Sequence, residues 1–545
     1  MKNNFIFTTM LTVSTLLASC GSHNGEATNK TSEKLRSIIS DETTTTQTIY
    51  GKIQGYKDGN IYTFKGIPYA KAERFMPPQE PDKFEDIKIC RIYGPKAPQT
   101  TTTLEWTGDK ESDYAFGNNF VLEPMDEENC LVLNIWTQGL NDGKKRPVFV
   151  WFHGGGFSSG SGHDLPCYEG RALAAKGDIV VVTINHRLNV LGYLDLSGAG
   201  GKLAESTNLG QQDLVKSLEW VQKNIANFGG DPANVTIGGQ SGGGGKVSAV
   251  MAMPSAKGLF KRAIVQSGSM FGLPTNENNK KVGLAFLKEL GVNPSHPEKL
   301  NEFSYEELVA AGTRAIEQVR KAGNTGRLGY TPAIDGKYIV GPTFDPEAPE
   351  VSRDVPMIIG TNLHEFCFKN DIEITEEEAK KILTKRFGNE ETAVQYIEAF
   401  KKVYPNQPAK EFLNTDINVR RSAVKQAISK SRQGTANVYL FLFTWKPRGN
   451  ALGASHGMEL PFMFNNIDLQ REMTGGTEDA YKLADLISSA YISFIRTGDP
   501  NVKGLPIWEP FTETNGATMI FNNQSNMVYN HDKTILDFPM PGLFR

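Results

Sequence analysis

The sequence predicts an α/β protein: a mostly parallel sheet with helices on both faces and inserted helical segments. Three observations carry that expectation. Apolar runs of strand length recur along the chain, at Val148–Phe152, Ile179–Ile184, Val235–Gly238, Arg262–Gln266, Pro356–Gly360 and Val438–Phe443. Runs that stay apolar, without polar alternation, belong to strands buried on both faces. Helix-like segments separate them: alanine-rich Gly170–Lys176, then Leu214, Leu218, Val221 and Ile225 at helical spacing, stopped by Phe228-Gly229-Gly230-Asp231-Pro232. Finally, Val235-Thr236-Ile237-Gly238 leads into Gly239-Gln240-Ser241-Gly242-Gly243 and on into an apolar segment, the layout of strand, sharp turn and helix. Strand–helix alternation gives parallel pairing, and chemistry in such sheets collects at the carboxyl ends of the strands.

From the N-terminus, Lys2, the apolar run Phe5–Leu17 and Leu17-Ala18-Ser19-Cys20 read as an export signal, too short to span a bilayer. This stretch resembles a bacterial lipobox, which makes residues 1–19 a lipoprotein signal peptide and Cys20 the lipidated first residue of the mature chain. Membrane attachment then comes from acyl chains, and Gly21 does not suggest inner-membrane retention, so an outer-membrane place in the cell envelope is expected. Residues 20–47, rich in Ser, Thr, Asn, Gly, Glu and Lys, read as a flexible tether, and residues 48–545 as a single domain. Strand signals open that domain at Thr48–Ile53 and Ile61–Phe64. Charged helical inserts follow at Asn276–Arg327 and Thr375–Arg432, the second opened by Thr375 as N-cap before three glutamates. They are expected beside the sheet as lid or substrate wall, with their charge runs as solvated faces.

Apolar residues make up 39% of the chain and charged residues 22%, enough for a large core. A net charge of −3 gives no reason to expect nucleic acid. Besides Cys20 there are Cys90, Cys130, Cys167 and Cys367, whose spacing fits no zinc site; neither metal nor cofactor is expected.

The serine turn gathers a constellation. His153-Gly154-Gly155-Gly156-Phe157 follows a strand, and acyl transfer needs amides aimed at a developing oxyanion, which glycine lets approach closely. Gly155, Gly156 and Gly242 are the candidate donors. A phosphate cradle is the rival, but no lysine follows at P-loop spacing. His456, in a loop after the Val438 strand, is the candidate base, with His153 and His364 as alternatives. Glu365, directly after the Pro356 strand, is the candidate acid that would hold a histidine tautomer, with Asp335 as runner-up. Gln240, Met270 and Phe271 are candidate pocket residues, and the loops Thr100–Met125 and Met270–Thr275 are expected to set acyl and alcohol preference.

With these features the chain, from about Thr48 onward, resembles a type B carboxylesterase of the cholinesterase–carboxylesterase branch of α/β-hydrolases. Its landmarks include Phe64–Ala70, Arg74-Phe75, Glu128–Ile135, His153–Phe157, Asn208-Leu209-Gly210, Trp220–Ile225, Gln266–Ser269 and Thr497–Asn501. The resemblance implies the α/β-hydrolase fold and ester hydrolysis through an acyl-enzyme. It implies Ser241 as nucleophile, Glu365 as acid, His456 as base and Gly155, Gly156 and Gly242 as oxyanion donors. Glu128, Arg187 and Asp213 look similar to positions of a structural ion network. The chain departs from the family's usual Gly-Glu-Ser-Ala-Gly by carrying Gln240 and Gly242. The family's first disulfide would need a partner for Cys130; Gly94-Pro95-Lys96-Ala97 lacks it, and Cys90, upstream, could substitute or leave Cys130 unpaired. No counterpart of a choline-stacking tryptophan is found, so a cholinesterase is not expected. The alternatives to an esterase are a catalytically inactive adhesion or binding member of the same fold, or a lipase acting on longer chains.

Overall fold

The computed structural model describes residues 37–100, 124–324, 326, 328–366, 373–448 and 452–539. Its frame is a twelve-stranded sheet. In chain order the strands are β1 (Ile38–Ile39), β2 (Tyr56–Asp58), β3 (Ile61–Pro68), β4 (Val132–Thr137), β5 (Arg146–Phe152) and β6 (Val180–Ile184). There follow β7 (Gly230–Gln240), β8 (Arg262–Gln266), β9 (Met357–Asn362), β10 (Val438–Phe443), β11 (Thr518–Phe521) and β12 (Asn526–Val528). In space they run β1-β2-β3-β4-β6-β5-β7-β8-β9-β10-β11-β12. From β6 to β11 every neighbouring pair is parallel, while both flanks are antiparallel. The expected mostly parallel sheet is therefore present, and β7 lies between β5 and β8.

Successive strand residues point to opposite faces. On β5, Val148, Val150 and Phe152 enter one core while Phe149 and Trp151 enter the other. Helix α1 (Leu209–Asn224) covers the first face with Leu214, Leu218 and Val221, side chains spaced to form one helical stripe. Helix α2 (Gly242–Val250) lies against the same face. The inserts α3 (Glu277–Glu289) and α4 (Tyr305–Lys321) pack Val282, Phe286, Leu308 and Ala315 into a third cluster with Phe75, Val190, Leu191 and Leu194. Helix α5 (Asn418–Ser431) returns Ala423 and Ala427 to the first face. Helix α6 (Glu478–Thr497) covers the second with Leu483, Ile487, Tyr491 and Phe494. Thr375 caps its helix as expected, accepting from Glu378 N–H while the Glu378 carboxylate accepts from Thr375 N–H. Among the described residues no helix is long and apolar enough to cross a membrane.

Three expectations need correction. The tether does not reach Gln47: Ile38–Ile39 pair with β2, and Thr45–Thr48 form a small sheet with Gly51–Gln54 and Lys88–Ile89. The run carries no strong apolar signal because hydroxyls anchor it. Buried Thr44, Thr46 and Thr48 donate to the carbonyls of Gly55, Asn227 and Gly51 at 3.1, 3.3 and 2.8 Å. Cys90 and Cys130 are not bridged; both are free and buried, as is Cys167. Strand pairing holds Cys90, whose N–H donates to Gln54 and whose carbonyl accepts from Lys65, while the Cys130 thiol donates to the Glu127 carbonyl. Glu128 is outside the Arg187 network: it sits exposed on a turn capped by Asp126, and its neighbour Glu127 takes Arg74 in a two-pronged pair at 2.7 Å. Arg187 and Asp213 do pair, buried, through contacts of 2.7 and 2.9 Å. Cys20, Cys367, the signal segment and most of the Thr100–Met125 loop lie outside the described residues.

Candidate active site

At the carboxyl end of β7 the chain turns at Ser241, with φ 57° and ψ −128°, and enters α2 at once. A non-glycine residue held there stores about 1–3 kcal/mol of strain. The turn is pinned by Ser241 N–H donating to the Gln266 carbonyl at the end of β8, at 2.8 Å. A Cβ at Gly242 would stand 2.1 Å from the Gly156 carbonyl oxygen. That close approach accounts for glycine where the family's usual motif has alanine: here the loop after β5 presses directly on the turn.

That loop carries His153–Phe157. Gly155 takes φ 78°, and a Cβ on it would meet the Ser159 carbonyl oxygen at 2.3 Å. Its own carbonyl accepts from the N–H groups of Ser158 and Ser159 at 3.3 and 3.1 Å, which closes the loop into a fixed turn. Among the described residues the amides of Gly155, Gly156 and Gly242 have no acceptor, and Gly156, Gly242 and Ser241 border one cavity. Unpaired amides beside a hydroxyl are what an oxyanion site requires.

The candidate acid and base come from the ends of β9 and β10, whose loops are laced together. Glu365 bridges Ser455 in a parallel pair, His456 N–H donates to the Glu365 carbonyl at 2.6 Å, and His364 N–H donates to Ala454 at 3.1 Å. The His456 Nδ1–H then donates to Glu365 Oε2 at 2.5 Å, and Asn362 N–H fixes the other carboxylate oxygen at 2.9 Å. This leaves Nε2 with its lone pair free to accept, and Gln240 Nε2 donates to it at 3.1 Å. Phe366 stacks on the ring, 4.3 Å between centroids. Burial alone would lower the His456 pKa, but the Glu365 hydrogen bond and charge outweigh it and hold the ring above its usual 6.5.

The alternatives are occupied elsewhere. His364 Nε2 meets Glu411 at 2.8 Å, and its Nδ1 accepts from Ala454 N–H. His153 Nδ1 faces the Gly154 carbonyl at 2.9 Å, behind the glycine loop. Asp335 accepts from the backbone of Lys337 and Tyr338, both at 2.7 Å, as a turn aspartate does.

Ser241 opens on a cavity of about 430 Å³ walled by Phe157, Met270, Phe271, Arg421, Ser422 and Lys425 among others. Met270 and Phe271 line this cavity, whereas Gln240 turns toward the histidine. Three charged neighbours were not weighed from the sequence. Glu459, one residue-triplet past His456, accepts from Asn362 Nδ2 at 2.5 Å; burial and the Glu365 charge push it up to about 7. Asp416 is pushed up to about 7 by the same two causes. Lys246, a lone lysine in the small-residue helix after the serine, is buried, and desolvation pulls it down to about 7. Its signal was visible: a lysine amid Gly242–Gly245 and Val247–Val250 has no solvated face to occupy.

A serine at a strained strand–helix turn, open amides beside it and a carboxylate-held histidine define an α/β-hydrolase with a serine-centred site. The sequence profile of the carboxylesterase family matches residues 41–538, and the chain belongs to that family. The para-nitrobenzyl esterase of Bacillus subtilis is 34% identical over 88% of this chain and 94% of its own length. The phenmedipham hydrolase of Pseudarthrobacter oxydans is 29% identical, over 88% and 94%. Among solved structures, an esterase from the anaerobe Clostridium hathewayi that can hydrolyze aliphatic aromatic polyesters superposes with a TM-score of 0.82. It is 36% identical and covers 92% of this chain and 99% of its own. The protein is a carboxylic ester hydrolase.

Proposed function

We propose that Ser241 is the nucleophile, His456 the general base and Glu365 the carboxylate that orients and supports it. Gly155, Gly156 and Gly242 supply the oxyanion donors. The observation that carries this reading is the Nδ1-held tautomer of His456, bonded to the residue next to Ser241. In the reaction, Ser241 Oγ attacks the ester carbonyl carbon as its proton passes to His456 Nε2. The carbonyl electrons move to oxygen, where three amide hydrogens meet them. Collapse expels the alcohol, which takes the proton back from Nε2. Water then attacks the acyl-enzyme, its proton passing to Nε2, and the acid leaves as Ser241 regains a proton.

The cavity favours a compact ester with an aromatic part, supported by Phe157 and Phe271 in its wall and by the relatives whose names refer to nitrobenzyl esters and aliphatic aromatic polyesters. Ser241→Ala is expected to lower turnover of p-nitrophenyl and benzyl esters by about a thousandfold or more and to abolish labelling by a fluorophosphonate. Turnover at the wild-type rate would remove Ser241 from the mechanism, and a wild-type chain that resists labelling would favour the inactive binding member.

The lipobox-like Leu17–Cys20 supports an envelope-anchored enzyme carried by a lipidated Cys20. Radiolabelled palmitate is expected to enter the wild-type chain and not Cys20→Ser; equal labelling of both would refute the anchor.

A further inference from the structure

We propose that Lys246 is a positioning residue for oxyanion stabilisation, acting through the peptide group that joins Gly154 to Gly155. The inference rests on the reading of Gly155 as an oxyanion donor.

Lys246 lies on α2, little more than a turn past Ser241, with 0% of its surface exposed. Burying an amine there is costly unless its hydrogens find acceptors. Among the described residues the acceptors are two carbonyls, His153 O at 2.9 Å and Gly154 O at 3.3 Å. These oxygens belong to the two peptide groups that open the glycine loop. The second matters most, because the Gly154 carbonyl and the Gly155 N–H are two ends of one amide. His153 Nδ1 faces the same oxygen at 2.9 Å. The Gly154 oxygen is thus held from behind, which fixes the plane of the peptide and so the direction of the Gly155 N–H. A donor on a carbonyl oxygen also draws electron density through the amide and makes the N–H at the other end a stronger donor. Both effects are felt most where negative charge develops, in the tetrahedral intermediate. Because the lysine rides on the helix that starts at Ser241, it also ties nucleophile and oxyanion loop into one rigid unit. Lys246 touches no reacting atom.

The test compares an oxygen ester with its thionoester, in which sulfur, a poor hydrogen-bond acceptor, replaces the carbonyl oxygen. Wild type, Lys246→Met and Lys246→Gln are each assayed with both substrates, and the oxygen-to-sulfur ratio of kcat is taken within one preparation, so that it does not depend on how much of a variant folds. The ratio is expected to fall about tenfold in Lys246→Met, a fraction of what losing a whole donor costs, with KM little changed. Lys246→Gln, which keeps an N–H, should fall less, and it serves as the test should Lys246→Met fail to fold. A ratio equal to wild type in the folded variants would overturn the proposal, however far total activity drops, since a merely structural lysine lowers both substrates alike. Failure of the underlying catalytic reading looks different: wild-type turnover would then survive the fluorophosphonate.

Discussion

Gln240 is where the charge of this site departs from its family. A neutral amide donates to the His456 Nε2 that takes the serine proton in the proposed mechanism, so Gln240 would have to yield that lone pair when Ser241 engages. A carboxylate at the same position could not donate; it would instead accept from a protonated ring and stabilise imidazolium. The ring is already held above its usual pKa by Glu365, with Glu459 and Asp416 also nearby. Gln240→Glu should therefore raise it further. Since catalysis needs the neutral ring, the acidic limb of the kcat/KM profile should move to higher pH, by about one unit. An unmoved limb would show that residue 240 does not couple to the base. At this scale the sequence was legible where residues are contiguous, as in Gly239–Gly243 and His153–Phe157. It was less legible for Lys246, Glu459 and Asp416, whose roles come from which backbone or carboxylate they meet after folding.

The elements divide in the same way. The parallel strands declared themselves as apolar runs because both faces are covered; β5 and β10 fall close to where the pattern put them, while β7 reaches back through Gly230-Asp231-Pro232, which had read as a helix stop. Short β11 offers only Met519-Ile520-Phe521 and β12 only Met527-Val528, too few to stand out, and the edge strand β1 has two residues to show. Among the inserts, α5 borders the cavity beside Ser241 with Arg421, Ser422 and Lys425. Arg421 and Lys425 are one turn apart, hence on one face, and both border the cavity; the Lys425 ammonium stands 5.5 Å from the Phe271 ring centroid. The Arg421 guanidinium is spent on the Leu536 carbonyl and Asn418, at 2.6 and 3.1 Å, which leaves Lys425 the better placed to meet a charged ester. Reversing that charge should matter by a modest Coulomb amount at a partly solvated site. Lys425→Glu is expected to slow an ester with a carboxylate on its acyl chain about tenfold relative to the neutral methyl counterpart, measured as a ratio of kcat/KM. An unchanged ratio would place the charged end of such substrates away from α5.

For the whole molecule, fold class and strand–site relationship followed from the sequence, because alternation of strand and helix admits few topologies. The body's first residues did not follow, since threonine hydroxyls rather than apolar side chains hold them. The assembly of the site has a consequence for synthesis. The glycine loop, elbow, acid and base stand at the ends of β5, β7, β9 and β10, in that chain order. Strand β10 is itself paired on its outer side by β11, at Thr518–Phe521. Under the proposed assignment a growing chain therefore holds nucleophile and oxyanion donors long before it has a base, and the strand that positions the base gains its second neighbour later still. Contacts so distant in sequence incur a large loop-closure cost before they form. With that assignment the nascent polypeptide is its own zymogen: hydrolytic competence is expected only when almost the entire body has been made and folded, and a truncated product should carry a serine that no base activates.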